Sequence, residues 1–362
     1  MPSLTLRLLP IVLLFSAPLA AQWHLLDVKT TASFRTVHAL SSTTCWIGGT
    51  KGTIVHTTDG GQSWNVMQVP GADSLDFRCV RAFDQRTALA MSAGLAEEGK
   101  ARIYRTQDGG TSWQLVYQTT QKGVFLDGMD FWDAGRGIGF GDPIDGRFFI
   151  LTTQDGGRTW QEVPLAQRPE ALPGEAAFAA SGTSLVVVGK KQVLIGTGGG
   201  KVARVLRSED SGQSWQAVET PLAAGPTSGI FGLRFWDEKH GLAVGGDYRN
   251  YLDATPNVLL TQDGGATWQR GGDARPNGLK EAVGLYRVNK KEKRLHPAAV
   301  RQWLLVIGAS GSGYSPNYGQ TWVVLDQHPF HAVSVAGNVG YAVGGQGLVG
   351  KFEGFFTPPP KE

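Results

Sequence analysis

Cysteine is scarce in this sequence: 2 of the 362 residues are Cys, too few for a disulfide framework or a structural zinc site. Charged residues are also few, at 18%, and 34 Lys and Arg nearly balance 31 Asp and Glu. Because nucleic-acid binding usually shows as a clustered excess of basic charge, we expect no nucleic-acid partner. The sequence contains no His-Glu-x-x-His or comparable cluster, so we expect no metal site.

The N-terminus has the composition of a secretory signal. Arg7 supplies the positive charge, an apolar stretch runs from Leu8 to Phe15, and small residues end at Ala21. No Cys follows the apolar stretch, so we expect no lipid attachment there. No later stretch is apolar enough to span a bilayer. We therefore predict that residues 1–21 are removed and that the mature chain is a soluble exported protein, periplasmic or extracellular. After export Cys45 and Cys79 could pair, although nothing in the sequence sets the distance between them.

Glycine and tryptophan are abundant, at 50 and 11 residues, and they recur in one pattern. The sequence Ser/Thr-x-Asp-x-Gly-x-Ser/Thr-Trp occurs five times, and a sixth copy has Asn in place of Asp. The closing Trp residues lie 47 to 55 residues apart. The acidic or amide positions of the six copies are Asp59, Asp108, Asp155, Asp210, Asp263 and Asn317.

These side chains are predicted to stabilise turns. An Asp can accept backbone N–H groups within its own turn, the Gly residues permit a positive φ, and the Trp can bury a large surface against the next sheet. The pattern lacks the alternating oxygen ligands of a calcium loop, which argues against a metal role.

Each repeat of about 50 residues contains four short β-rich runs divided by turns, which is typical of a β-propeller blade. Six repeats carry the pattern, and Phe330 to Phe352 supplies three further strands. The stretch from Trp23 to Val28 can supply the missing strand and remove the exposed edge. The sequence therefore predicts an all-β, seven-bladed propeller over residues 22–354, whose N-terminal strand closes the last four-stranded antiparallel blade. Residues 355–362 are predicted to be a disordered tail.

The six repeats resemble the Asp-box, or BNR, repeats of sialidases and sortilin-type propellers. Across residues 22–354 the chain is similar to bacterial propellers related to the photosystem II stability/assembly factor. The stretches that support this resemblance are Phe131-Trp132-Asp133, the run from Gly141 to Phe148, the run from Gly174 to Thr183, and Gly245-Gly246-Asp247-Tyr248. The resemblance implies a β-propeller fold and a binding or assembly role. It implies a photosystem client only for some of the propellers related to the photosystem II stability/assembly factor.

A candidate ligand site follows from the order of strands in a blade. If the first strand is innermost, the starts of these strands and the loops between second and third strands share one face, opposite the Asp boxes. The residues expected at this channel mouth are Arg35, Arg78, Asp127, Asp142, Glu175, Asp247 and His331, with Lys280 or Glu281 in the sixth blade. Two neighbouring guanidinium groups could hold a carboxylate or a polar peptide. Alternatively, these charges satisfy one another around a water-filled channel.

The main alternative is a sialidase-like glycoside hydrolase. The run from Phe34 to Val37 resembles the arginine motif near the start of sialidases, and Arg78 could be a second arginine of that set. No third arginine or Tyr-Glu pair matches, and no motif places Tyr314 or Glu175 in such a role. We therefore assign no catalytic residues and no cofactor. The sequence favours a monomeric binding or assembly module for a protein client, including membrane-protein complexes, or for a polar or anionic small ligand.

Overall fold

The computed structural model describes residues 23–288, 290 and 302–354. The predicted signal and the predicted C-terminal tail therefore lie outside the described residues. Within them the chain forms seven four-stranded antiparallel sheets and two short 3-10 helices, η1 (Ala96–Glu98) and η2 (Leu165–Gln167). The prediction of a seven-bladed all-β propeller is confirmed. None of the helices among these residues is long and apolar enough to cross a membrane.

The strand β1 (His24–Leu25) is separated in sequence from the blade that it joins. Blade 1 contains β2 (Phe34–Ala39), β3 (Cys45–Gly49), β4 (Thr53–Thr57) and β5 (Asn65–Gln68). Blade 2 contains β6 (Asp76–Ala82), β7 (Ala88–Ala93), β8 (Arg102–Thr106) and β9 (Gln114–Gln118). Blade 3 contains β10 (Leu126–Phe131), β11 (Gly137–Ile144), β12 (Arg147–Thr153) and β13 (Gln161–Glu162).

The remaining blades follow the same order. Blade 4 contains β14 (Leu185–Val188), β15 (Gln192–Gly196), β16 (Arg204–Ser208) and β17 (Gln216–Glu219). Blade 5 contains β18 (Ser228–Phe235), β19 (Gly241–Asp247), β20 (Val258–Thr261) and β21 (Gln269–Arg270). Blade 6 contains β22 (Ala282–Arg287), β23 (Gln302–Gly308), β24 (Gly311–Ser315) and β25 (Val323–Asp326). Blade 7 contains β26 (Phe330–Ala336), β27 (Val339–Gly344) and β28 (Val349–Phe352).

The N-terminal strand closes the ring, as the sequence predicted. In β1, His24 lies opposite Lys351 and Leu25 lies opposite Gly350, so β1 becomes the outermost strand of blade 7. The innermost strand of every blade contacts the innermost strands of both neighbouring blades, and β26 contacts β2. These contacts form a closed circle around a central channel.

Each Asp-box side chain is bonded within its own turn. In blade 1 the Thr57 hydroxyl donates to Asp59 Oδ1 at 2.8 Å, and the Ser63 N–H donates to the same oxygen at 2.9 Å. The arrangement recurs in the other copies, including the one with Asn317. Hydrogen bonds from Ser63 lower the pKa of Asp59 to about 2, and those from Ser112 do the same for Asp108. These carboxylates act as acceptors that hold the turns.

The box tryptophans pack between blades. Each one joins a hydrophobic cluster shared by its own blade and the preceding blade; these residues are Trp64, Trp113, Trp160, Trp215, Trp268 and Trp322. Blade 7 has no box, and Trp23 takes the equivalent place between blades 6 and 7. Its ring lies 5.2 Å from that of Phe330 and 5.5 Å from that of Phe352, measured between centroids.

The two cysteines are free and buried in different clusters. Cys45 belongs to the cluster between blades 7 and 1, and Cys79 to the cluster between blades 2 and 3. The pairing that the sequence left open is therefore absent from this structure.

Candidate functional site

Five innermost strands carry a β-bulge near their first residue. In blade 1, Phe34 pairs with Gly49 and Thr36 pairs with Gly48, so that Arg35 is left out of the ladder. The same irregularity occurs in blades 2, 3, 5 and 7, and a bulge redirects the side chain of the extra residue. The residues at the five bulges are Arg35, Arg78, Asp127, Phe231 and His331.

Glycine residues on the second strand allow the backbone at the start of the innermost strand to pass very close to them. A Cβ on Gly141 would lie 2.0 Å from the carbonyl oxygen of Phe125, and one on Gly245 would lie 1.9 Å from that of Gly229. Both distances are far below van der Waals contact, so any larger residue would displace the start of the innermost strand.

The bulged side chains surround one pocket of about 440 Å³ at the channel mouth. All seven blades contribute to its wall. The lining residues are Arg35, Arg78, Phe125, Asp127, Asp142, Ala177, Phe178, Ala179, Ala180, Phe231, Tyr248, Tyr251, Leu279, Glu281, Ala309 and His331. The Asp-box turns lie on the opposite face, because they bond to the loops between first and second strands, as Gly109 N–H does to Arg86 O at 2.9 Å.

Glu281 is the carboxylate that Arg35 and His331 approach in the pocket. Its side chain is 5% exposed and lies 3.1 Å (Oε1) from Nδ1 of His331, in the next blade. Arg35 approaches it less closely, with 3.9 Å between Nη1 and Oε2. The Arg35 side chain remains 30% exposed and lines the pocket, so N–H groups of its guanidinium are available to a ligand.

Two of the three guanidinium nitrogens of Arg78 have partners in the protein. Its Nε donates to Asp76 at 2.8 Å, and its Nη1 donates to the carbonyl of Ala179 at 3.2 Å. The side chain is 33% exposed, which leaves N–H groups available to a ligand. The charges at the mouth therefore satisfy one another only in part.

Asp127 is buried without a partner. The residue is 1% exposed, and neither carboxyl oxygen has a hydrogen-bond partner among the described residues. Burial raises the pKa of Asp127 well above its usual value, repulsion from Asp142 adds to the rise, and attraction to Arg78 opposes it. Burial also raises the pKa of Asp142, which accepts the Ala177 N–H at 3.0 Å. A protonated Asp127 can donate a hydrogen bond into the pocket.

An aromatic wall faces these charges, and the sequence analysis missed it. The rings of Phe178 and Phe231 stack with their centroids 4.1 Å apart, and Tyr248 meets Phe178 edge-on at 6.2 Å. Phe231 occupies the bulge of blade 5, so alignment of Ile230-Phe231-Gly232 with the other strand starts could have found it. Phe178 precedes the strands of blade 4 in an irregular segment, where the repeat offers no signal.

Lys280 does not line the pocket, and Glu281 does. The Lys280 side chain is fully buried, and its ammonium group donates to Ser310 Oγ at 2.9 Å and to the carbonyl of Leu279 at 3.3 Å. Burial lowers its pKa to about 8. This resolves the one-residue uncertainty in the register of blade 6.

Two other expected mouth residues have structural partners outside the pocket lining. Glu175 forms a buried ion pair with Arg204 and accepts the hydroxyl of Thr197 at 2.6 Å. Asp247 accepts the Thr227 hydroxyl at 2.7 Å and holds the turn that follows it. Neither carboxylate is therefore among the residues that line the pocket, and both hold loops in place around it.

Of the residues considered for sialidase-like chemistry, Arg35 and Arg78 share the pocket, and Tyr314 and Glu175 do not join them. Tyr314 stacks on Trp303 in blade 6, at 5.4 Å between centroids, and is not among the residues that line the pocket. Within the described part of the chain, no group of three or more His, Cys, Asp or Glu side chains is placed to hold a metal ion.

Comparison with known proteins supports the resemblance seen in the repeats. No family model matches the chain. The photosystem II assembly lipoprotein Ycf48 of Synechococcus sp. (strain CC9902) is 24% identical over 245 residues, which are 66% of this chain and 62% of that protein. The match thus spans less than two thirds of the relative's length.

Solved structures share the fold at low identity. YCF48 bound to D1 peptide has a TM-score of 0.61 at 16% identity, with 94% of this chain and 100% of that chain covered. YCF48 from Cyanidioschyzon merolae has a TM-score of 0.62 at 15% identity, with coverages of 92% and 99%. A GH74 enzyme of Niastella koreensis has a TM-score of 0.55 at 12% identity, and 44% of that enzyme is covered. The predicted resemblance to photosystem II assembly-factor-like propellers is confirmed.

Proposed function

We propose that this chain is an exported, non-catalytic assembly propeller that binds a protein client at the channel mouth. The similarity to a protein named as an assembly lipoprotein supports the assembly role, and the YCF48 structure with a D1 peptide supports a polypeptide as the ligand. The signal-like composition of residues 1–21 supports export. The identity of the client is expected to differ with the cell that makes the protein.

The pocket itself carries the proposal, because it combines two chemistries in one wall. Arg35 and Arg78 present partly exposed guanidinium groups, which suit a carboxylate. The wall of Phe178 and Phe231 suits an apolar or aromatic side chain. Asp127 can donate to a peptide carbonyl when protonated. A client segment with an acidic group beside an apolar side chain would satisfy all of these groups at once.

Glycoside hydrolysis is the second candidate, and one observation favours it. Asp127 and Asp142 both have a raised pKa in a pocket, as a general acid requires. Hydrolysis also requires an ionised carboxylate as base or nucleophile across the substrate. Glu281 is the remaining carboxylate of the pocket, and it is engaged by His331 and Arg35. Binding is therefore the better supported function.

Capture of partners from the native envelope tests the proposal. Immobilised mature protein is compared with the double variant Arg35→Ala/Arg78→Ala, which should recover at least tenfold less client, since each charge-assisted bond is worth roughly 1.5–3 kcal/mol. The matched control Arg86→Ala/Arg158→Ala removes two exposed arginines from the Asp-box face and should recover as much as the wild type. Equal recovery by the pocket variant and the wild type would remove the mouth as the binding site. Release of sugar from a glycan panel by the wild type would favour the hydrolase instead.

A further inference from the structure

A second ring of side chains lies deeper in the channel. In the five strands that carry a bulge, the residue of this ring lies three positions after the bulged residue. The members with polar side chains are His38, Arg81, Asp130, Arg234 and Ser334. Together with apolar side chains such as Val37 and Val333 they line a cavity of about 90 Å³. This ring is distinct from the mouth pocket, since the two share no lining residue.

Arg81 and Asp130 neutralise each other. Arg81 Nε donates to Asp130 Oδ1 at 3.0 Å, and its Nη2 donates to the carbonyl of Gly182 at 2.8 Å. The second oxygen of Asp130 accepts the N–H of Val187 at 3.0 Å. Both carboxylate oxygens of Asp130 are therefore already engaged.

Arg234 has no such partner. No hydrogen bond or ion pair joins its guanidinium to another described residue, although its side chain is exposed to the channel. An Arg side chain stays charged in proteins. His38 is neutral, because burial and then repulsion from Arg81 lower its pKa to about 3. The ring thus carries two guanidinium groups and one carboxylate, which leaves one uncompensated positive charge.

We propose that this ring binds one small monovalent anion, such as chloride, at the Arg234 guanidinium. Protein walls around a channel focus the field of an uncompensated charge and raise the local concentration of counter-ions, and one monovalent anion would balance this charge. A cavity of about 90 Å³ has room for such an ion, since a water molecule occupies about 30 Å³ of liquid.

The other groups in the wall favour this class of ligand. Ser334 Oγ accepts the Ala39 N–H at 3.0 Å, so its own O–H remains free to donate to the anion. Valine side chains form much of the remaining wall. Apolar walls and weakly hydrated guanidinium groups suit a weakly hydrated monovalent ion better than a strongly hydrated phosphate dianion.

Thermal unfolding in two salts tests the site. The melting temperature of the mature protein is measured against sodium chloride and against sodium gluconate at equal ionic strength. Gluconate is too large for the cavity, so chloride should give an additional, saturating rise in melting temperature. Arg234→Gln should lose that additional rise. Arg270→Gln, which removes an exposed arginine from the outermost strand of blade 5, should keep it.

Bromide-soaked crystals of the wild type locate the ion directly and do not depend on the folding of a variant. An anomalous peak within hydrogen-bonding distance of Arg234 is expected. Equal chloride responses of the wild type and Arg234→Gln, or an absence of the peak from the cavity, would overturn the proposal.

Discussion

The indole N–H of Trp23 donates to Ser312 Oγ at 2.9 Å, and so joins the first described residue of the chain to blade 6. Trp23 also packs on Phe330 and Phe352 of blade 7, and it is 5% exposed. The closing segment therefore connects two blades, since β1 pairs with blade 7 and Trp23 donates a hydrogen bond to blade 6.

We expect Trp23→Ala to lower the free energy of unfolding by about 3–5 kcal/mol, as loss of a buried Trp usually does. Deletion of residues 23–28 should in addition expose the edge of β28 and cause aggregation. Urea unfolding measures the first effect and light scattering the second. The control Leu25→Ala, at a side chain in β1 that is 52% exposed, should change stability by less than about 0.5 kcal/mol. A deletion variant that stays monomeric with unchanged melting would argue against closure by β1.

The Asp boxes should contribute stability without taking part in binding. The pKa of Asp108 is lowered to about 2 by hydrogen bonds from Ser112, so its contribution is present above pH 4 and is lost as the pH falls towards 2. Asp108→Ala should therefore lower the melting temperature at pH 7 and have little effect near pH 2. Calorimetry at both pH values measures this, with Glu238→Ala as an exposed control. Normal melting at pH 7 combined with lost client capture would show that the box is a binding element.

The contribution of Asp127 to the free energy of unfolding should become less favourable as the pH rises. Its pKa is raised in the folded protein, so the unfolded chain ionises first and is favoured from about pH 4 upward. Asp127→Asn should gain stability relative to the wild type by up to about 1.4 kcal/mol per pH unit over that range, until the folded carboxyl also ionises. Urea unfolding at pH 4.5, 6 and 7.5 measures the gain. Asp145→Asn, at an exposed position, should show no such trend, and a constant difference for Asp127→Asn would contradict a raised pKa.

Removal of the Glu281 charge should strengthen client capture. Glu281 competes with an acidic ligand for Arg35 and His331, so Glu281→Gln frees both and removes a repulsive charge from the pocket. We expect roughly a three- to tenfold gain in affinity, on the order of 1 kcal/mol. Quantitative capture from the envelope measures it, with Glu98→Gln as a control. Weaker capture by Glu281→Gln would indicate that the pocket recognises a cation.

The blades could be predicted because each Asp box is a local unit. Its hydrogen bonds connect residues four apart in sequence, as between Asp59 and Ser63, and need no information from distant parts of the chain. The closing strand could be predicted because the last repeat was one strand short. The common position of Arg35 and Arg78 was visible because both strands start with the same Phe-Arg pair.

Side chains in the connecting segments were harder to place. Glu175 turns away from the pocket because it finds Arg204, 29 residues later in the chain. The stacking of Phe178 on Phe231 joins segments of two blades in a way that no repeat encodes. In blade 6 the strand start lacks the Phe-Arg pair, and the choice between Lys280 and Glu281 depended on the hydrogen bond from Glu281 N–H to Ile307 O.

The bulges have a consequence for how such a protein can change its ligand during evolution. Arg35 and Arg78 take no part in strand pairing, and their side chains lie outside the hydrophobic clusters that hold neighbouring blades together. Under the proposed function, a codon change at Arg35 or Arg78 would alter ligand recognition with little effect on folding. The starts of the seven innermost strands surround one opening. Substitutions at these few positions could change ligand specificity during evolution while the fold stays the same.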